Sequence, residues 1–339
     1  MSRKLWKLVK SCIAFISIIS VILTIAFVFI TRFTPKPVAW LLRRLFDKPD
    51  SKPLKDTQKD KVQEIENIPY GEDEQEVLDL YVPTKNGEYP IILWIHGGAF
   101  VGGDKKDVAR FARELAKQGY AVASMNYTLA PEGQYPTPIL QTNKAYEFLT
   151  KGEYVEKEKI DTNQIFLAGD SAGAFIVAQC AVLQSNEEYK REFQKYEEMK
   201  ELPQTNYKGV LLYCGPYLLT EMNRTGSPFL RFFAKQVEWA YFGDKNLEKN
   251  ESLPEIDIVE YITKEHPATF ITDGNTFSFT EHGKVLAEKL RTEGVDTEEL
   301  FFDNTEKIGH EYQFDLLHKA GKKALDVTVR FLDKHCVVE

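Results

Sequence analysis

Hydrophobic positions follow three different patterns along this chain. Residues 11–30, SCIAFISIISVILTIAFVFI, form an unbroken apolar run with no charge. At about 1.5 Å per residue, twenty such residues span roughly 30 Å as a helix, the thickness of a bilayer's hydrocarbon core. From Val62 onward the pattern changes: short apolar runs alternate with segments of helical period. EVLDLYV and YPIILWIHG read as strands, the second nearly continuous, as in a sheet covered on both faces. DVARFARELAKQGY places Val108, Phe111, Ala112 and Leu115 on one helical face. AVASMNY, QIFLA, KGVLLYCG, PATFITDG and TEELFFD read as further strands. PILQTNKAYEFLTK, TEHGKVLAEKLRTEGV and a closing segment presenting Leu325, Val329 and Leu332 read as helices. This alternation predicts an open α/β sheet, mostly parallel, with helices on both faces.

The third pattern is interruption. Residues 186–207 are highly charged, and residues 215–244 are rich in aromatics. Both predict insertions forming a helical cap, and the aromatics suggest an apolar acyl or alcohol pocket. Ordinary surface helices are the alternative. The resulting domain organisation is a tail and membrane anchor at 1–30, a juxtamembrane helix and linker at 31–60, and a main domain at 61–339. Within 31–60, PVAWLLRRLF is apolar and basic, suited either to the membrane interface or to packing on the domain's own surface. DKPDSKPLKDTQKDK, with two prolines and alternating charge, reads as a solvated linker.

Charge sharpens the picture at the N-terminus. The first fifty residues hold nine Lys/Arg against two Asp, so the remainder must carry −15 to reach the total of −8. A basic end on an acidic body suggests a membrane surface and argues against nucleic acid. A cleaved signal peptide is disfavoured, because Arg32 and Lys36 stand where a small-x-small site is expected. Arg3, Lys4, Lys7 and Lys10 nearly balance Arg32, Lys36, Arg43 and Arg44 across the span. The short tail and its α-amino charge favour a cytoplasmic N-terminus, hence a single-pass cell-membrane protein with an extracytoplasmic domain. Four cysteines without a CxxC or Cys/His cluster predict neither a disulfide framework nor a metal site.

The chemistry is concentrated in three places. Gly169-Asp170-Ser171-Ala172-Gly173 fits G-x-S-x-G between an apolar strand and an apolar helix. That context puts a serine on a strained turn, with glycines removing the Cβ atoms that would clash. A tight turn with a capping serine is the competing reading. His96-Gly97-Gly98-Ala99-Phe100 closes a strand with small residues whose N–H groups can hold an oxyanion, together with that of Ala172. His96 is expected to fix this loop. HGGAF, NYTLAPEGQYP at 126–136 and GDSAGA at 169–174 together resemble the hormone-sensitive-lipase-like branch of the α/β-hydrolases, over roughly residues 62–335. The resemblance implies an α/β-hydrolase fold and hydrolysis of small-molecule carboxylic esters without a cofactor. Gly97, Gly98, Ala99 and Ala172 would be oxyanion donors.

Triad order in that fold places the base near the C-terminus. His310, in KIGHEYQF, matches the family's Gly-x-His-x-aromatic loop, whereas His318 and His335 lie in helical stretches. The family's alignment puts the acid at Phe277, which cannot orient an imidazole. Asp273 at a strand end is the chosen replacement, with Glu281 and Asp303 as alternatives. An Asp-Gly turn capping its own backbone competes for Asp273. The expectation is therefore a membrane-anchored serine esterase using Ser171, His310 and Asp273 on short to medium acyl chains. The alternatives are a catalytically weak binding module, motivated by Phe277, and an amidase or peptidase. Oligomeric state is not legible.

Overall fold

The computed structural model describes residues 3–46, 61–85, 87–152, 154–200, 204–222, 227–247, 250 and 253–336. Most of the expected linker at 47–61 lies outside them. Eight strands form one sheet: β1 (Val62–Pro69), β2 (Val77–Pro83), β3 (Tyr89–Ile95), β4 (Ala121–Met125), β5 (Ile160–Asp170), β6 (Tyr207–Tyr213), β7 (Ala268–Thr272) and β8 (Thr297–Leu300). Their spatial order is β1-β2-β4-β3-β5-β6-β7-β8. The β1–β2 and β2–β4 pairings are antiparallel and all others parallel. The chain therefore reverses its direction of winding around β3 and β5, the position where open α/β sheets gather ligands at their strand ends.

Period-two alternation divides the core. Ile91, Leu93 and Ile95 of β3 join one apolar cluster with Ala174, Phe175 and Val177 of the helix Ala172–Ser185. Ile92 and Trp94 join the other cluster with Phe111 of the helix Ala109–Gln118 and Phe331 of the helix Lys319–His335. Both faces being covered explains why IILWI carries no polar position. The closing helix turns Ala324, Val327, Phe331 and Leu332 inward, while Leu325 and Val329 are only partly buried. β1 was not among the strands read from the pattern: it is an edge strand whose mostly exposed residues include Glu64 and Glu66. Likewise β5 begins at Ile160, ahead of the apolar stretch that marks it.

At the N-terminus a single helix runs from Arg3 to Ile30. Its segment Cys12–Ile30 has a mean hydropathy of 3.0 and is not covered by the domain. It is the only helix among the described residues long and apolar enough to cross a membrane. A short joint leads to the helix Lys36–Phe46, which buries Val38 and Ala39 and leaves Trp40 and Leu45 exposed. Among the described residues, 186–206 contribute the helix Glu187–Glu192 and two short 3-10 turns, and the longest element of 215–244 is the helix Pro228–Phe242.

Candidate active site

Ser171 follows the last residue of β5 and precedes the helix Ala172–Ser185, with φ 49° and ψ −116°. A left-handed φ costs a non-glycine residue about 1 kcal/mol or more, so neighbours must enforce it. They do so by close approach. A Cβ on Gly169 would stand 2.5 Å from the Gly173 carbonyl carbon, and one on Gly173 would stand 2.0 Å from the Ile95 carbonyl oxygen. The Ser171 N–H donates to the Tyr213 carbonyl at 2.8 Å, which ties the turn to β6. Its hydroxyl makes no capping bond to the helix. Instead Oγ lies 3.0 Å from His310 Nε2. For Ser171 to donate to Nε2, the imidazole must carry its own proton on Nδ1. The elbow and the base read from the sequence are thus brought together.

The loop after β3 is a run of left-handed residues, with φ of 109° at Gly98, 52° at Ala99 and 61° at Phe100. Successive residues of this kind turn backbone N–H groups toward one side. The Phe100 carbonyl accepts from Ala130 N–H at 2.8 Å, and the Phe100 ring stacks on Tyr241 with centroids 3.9 Å apart. Gly97 departs from its expected part. Its N–H donates to Asp170 Oδ2 at 2.8 Å and so is not available to an oxyanion. Gly98, Ala99 and Ala172 are left as candidate donors, of which Ala172 opens a helix whose N-terminal dipole favours negative charge. His96 has the structural part expected of it. It is buried, stacks on Tyr127 at 4.6 Å, and its Nδ1 lies 2.7 Å from the Gly97 carbonyl. Burial pushes its imidazolium pKa down.

Asp273 follows β7 and is buried, close to His310. One of its carboxylate oxygens, a His310 ring nitrogen and the Cys214 sulfur all lie within 4.8 Å of one another. Oδ1 accepts the Gly274 N–H at 2.7 Å and Oδ2 the Phe279 N–H at 2.7 Å, so the Asp-Gly turn considered as a competing role is also present. His310 Nδ1 is buried and has no hydrogen-bond partner among the described residues. Burial raises the Asp273 pKa, against the lowering effect of the charge on His310. The two other candidates point elsewhere. Glu281 is exposed and pairs with Lys284, and Asp303 accepts from Thr305 at the surface. Phe277 is 92% exposed.

The Cys214, Asp273 and His310 group is the only one among the described residues with the ligand types and spacing for a metal ion. Its atoms have other work. Both Asp273 oxygens accept backbone N–H groups, His310 faces Ser171, and Cys214 Sγ lies 3.5 Å from Gln313 Oε1. Burial, then Asp273, pushes the Cys214 thiol up, away from the thiolate a metal requires.

Several residues carrying this geometry escaped the sequence reading. Asn275 joins the acid loop to the base loop: its Nδ2 donates to the Asp303 and Glu306 carbonyls, and its Oδ1 accepts from Ile308 N–H at 2.9 Å. Asn275 and Thr276 N–H in turn donate to the Ile308 carbonyl. Gly274 permits the contact, since a Cβ there would lie 2.3 Å from the Gly309 carbonyl oxygen. Asp170, inside the elbow motif, is buried and accepts from Trp94 Nε1 at 2.7 Å. A Cβ on Gly97 would stand 2.5 Å from Asp170 Oδ2 and 2.9 Å from Glu311 Oε1, so two carboxyl groups share that small space. Burial, then Glu311, holds the Asp170 pKa well above the carboxylate range. An Asn beside a Gly signals a turn, and nothing in its spacing reveals a clamp.

The sheet order, the strained serine turn and the facing histidine define an α/β-hydrolase fold. Residues 78–290 match the model of the BD-FAE family, and the chain belongs to that family. It resembles solved esterases in fold. Esterase B from Lactobacillus rhamnosis aligns with a TM-score of 0.70 at 20% identity, over 81% of this chain and 86% of that one. The Pyrobaculum calidifontis esterase aligns with a TM-score of 0.63 at 18% identity, over 88% and 90%. Among curated relatives, kynurenine formamidase of Salmo salar is 31% identical over 34% of this chain and 38% of its own. The isoprenylcysteine alpha-carbonyl methylesterase of Arabidopsis thaliana is 33% identical over 37% and 29%. The chain thus spans only about a third of the length of these curated relatives.

Proposed function

We propose that this chain is a membrane-anchored serine hydrolase cleaving carboxylic esters of short to medium acyl chain, with its domain outside the cytoplasm. The observation that carries the reading is the 3.0 Å approach of His310 Nε2 to Ser171 Oγ on a strained elbow. Ser171 Oγ attacks the ester carbonyl carbon as its proton passes to His310 Nε2. The carbonyl oxygen becomes an oxyanion beside the N–H groups of Gly98, Ala99 and Ala172. Collapse breaks the bond to the alkoxide, which takes the proton from His310, and leaves an acyl-enzyme. Water, deprotonated by His310, then releases the acid and restores Ser171. Asp273 supplies the negative charge that stabilises the imidazolium, from within 4.8 Å of a His310 ring nitrogen. Residues 186–207 and 215–244 serve as the cap. The esterase names among the structural neighbours support an ester, and the formamidase among the relatives keeps an amide in view.

Treating the full chain in detergent with a fluorophosphonate probe tests this. Wild type should label and Ser171→Ala should not, with ester turnover falling about 10³-fold or more. Equal labelling of the two, or none of either, would leave a hydrolase fold serving as a binding module.

A further inference from the structure

We infer that the site opens onto the membrane holding the anchor, and that its substrates are carboxylic esters carried by bilayer lipids. The inference rests on the serine-hydrolase and membrane-span readings above and adds an orientation and a substrate source. Its basis is the joint between the apolar helix and the domain, which is a fixed mount where a loose tether would suffice. Thr31, one residue past the apolar helix, is buried, and its carbonyl accepts from Gln236 Nε2 at 3.3 Å. The Arg32 carbonyl accepts from Lys245 Nζ at 2.9 Å. Gln236 lies within the expected cap, and Lys245 directly follows it. On the next helix, Arg43 donates from Nε to the Val101 carbonyl and from Nη2 to the Ala130 carbonyl, each at 2.7 Å, and pairs with Glu132.

These bonds hold the mount against the loop that borders Ser171. Val101 directly follows the left-handed run Gly98–Phe100, and Ala130 N–H binds the Phe100 carbonyl. A Cβ on Gly102 would stand 2.8 Å from the Phe46 ring, so the juxtamembrane helix lies directly on this loop. With a span ending at Ile30, the oxyanion loop can lie no further from the bilayer than this short helix allows.

The outer face of the mount has the chemistry of a lipid interface. Phe33, Trp40 and Leu45 are 69%, 60% and 65% exposed, a combination of large apolar groups that water disfavours. Cationic groups sit among them: Arg44 lies over the Trp40 ring at 5.9 Å, and Arg32 and Lys36 flank Phe33 in the chain. Indole with arginine and lysine is the composition that settles at headgroup level and attracts anionic lipid. Its continuity with the apolar helix selects the bilayer as the occupant over a protein partner.

The test uses the full chain in nanodiscs containing anionic lipid, comparing wild type with a Phe33→Ser, Trp40→Ser, Leu45→Ser variant. Two substrates are offered: soluble p-nitrophenyl butyrate and a fluorogenic diacylglycerol embedded in the disc. The variant should lose tenfold or more on the glyceride, with butyrate turnover within twofold of wild type and Ser171 labelling unchanged. Parallel changes on both substrates, or no change on either, would overturn the inference. So would wild type that turns over butyrate but leaves the glyceride intact, an outcome that spares the serine-hydrolase reading. Failure of Ser171 to label would instead remove that underlying reading. Should the triple variant not fold, brominated-lipid quenching of wild type against Trp40→Phe decides the orientation. A quenched Trp40 component supports it, and a Trp40 component indifferent to bromolipid overturns it.

Discussion

The two halves of the candidate site are held in different ways. The nucleophile half is fixed by close packing in a buried core: Gly169, Gly173 and Ile95 crowd the turn at Ser171, and the helix behind it is buried almost throughout. The acid and base half rests on loops beyond β7 and β8, joined by hydrogen bonds through Asn275 and the Ile308 carbonyl. One half therefore depends on packing that any added atom disturbs. The other depends on a few polar contacts at the edge of solvent. The difference bears on the proposed mechanism, in which His310 is aimed at Ser171 from the less constrained side.

Breaking the packed half should produce the largest effect. Gly173→Ala forces a Cβ into the Ile95 carbonyl, and we expect a loss of about 3 kcal/mol or more of stability along with Ser171 labelling. Guanidinium denaturation and probe labelling would measure it; a variant as stable and reactive as wild type would mean the elbow is not sterically enforced. On the looser half, Asn275→Ala removes four exposed or half-buried hydrogen bonds. The expected cost is about 1–2 kcal/mol in stability and about tenfold in kcat, with KM nearly unchanged. A change confined to KM would show that the clamp shapes binding and does not aim His310.

The smallest effect is on pH dependence. The folded-state pKa of Asp170 is raised by burial and then by Glu311, so above about pH 4 the folded chain keeps a proton that the unfolded chain releases. Stability contributed by that proton is complete below the unfolded pKa and is lost as pH rises through the folded one, at up to about 1.4 kcal/mol per pH unit. Asp170→Asn should flatten the slope of denaturation midpoint against pH between 5 and 8. Parallel slopes would indicate that Asp170 is ionised in the folded chain.

The same division explains what could be read from the chain. The order of strands and helices, the elbow and the histidine loop were legible because they rest on periodicity and on glycines at fixed spacing. β1 was not, since an edge strand with glutamates on its exposed face lacks a strong apolar pattern. Lys105, buried against Asp79 at 2.8 Å, was not legible either, because a lysine at a loop start reads as solvated until its partner from another strand is known. Gly97 looked like an oxyanion donor by position, and only the fold reveals that Asp170 takes its N–H. Phe277 marked the place of a missing acid. The fold leaves its ring in solvent and brings the strand-end Asp273 near the base.

The central claim is that Asp273 replaces the carboxylate missing at Phe277, and turnover of a short p-nitrophenyl ester by Asp273→Asn and Glu281→Gln tests it most directly. Asp273→Asn should lower kcat/KM about 10²–10⁴-fold while Ser171 remains present and the fold intact, and Glu281→Gln should stay within twofold of wild type. Full activity in Asp273→Asn, or a collapse in Glu281→Gln alone, would contradict the assignment.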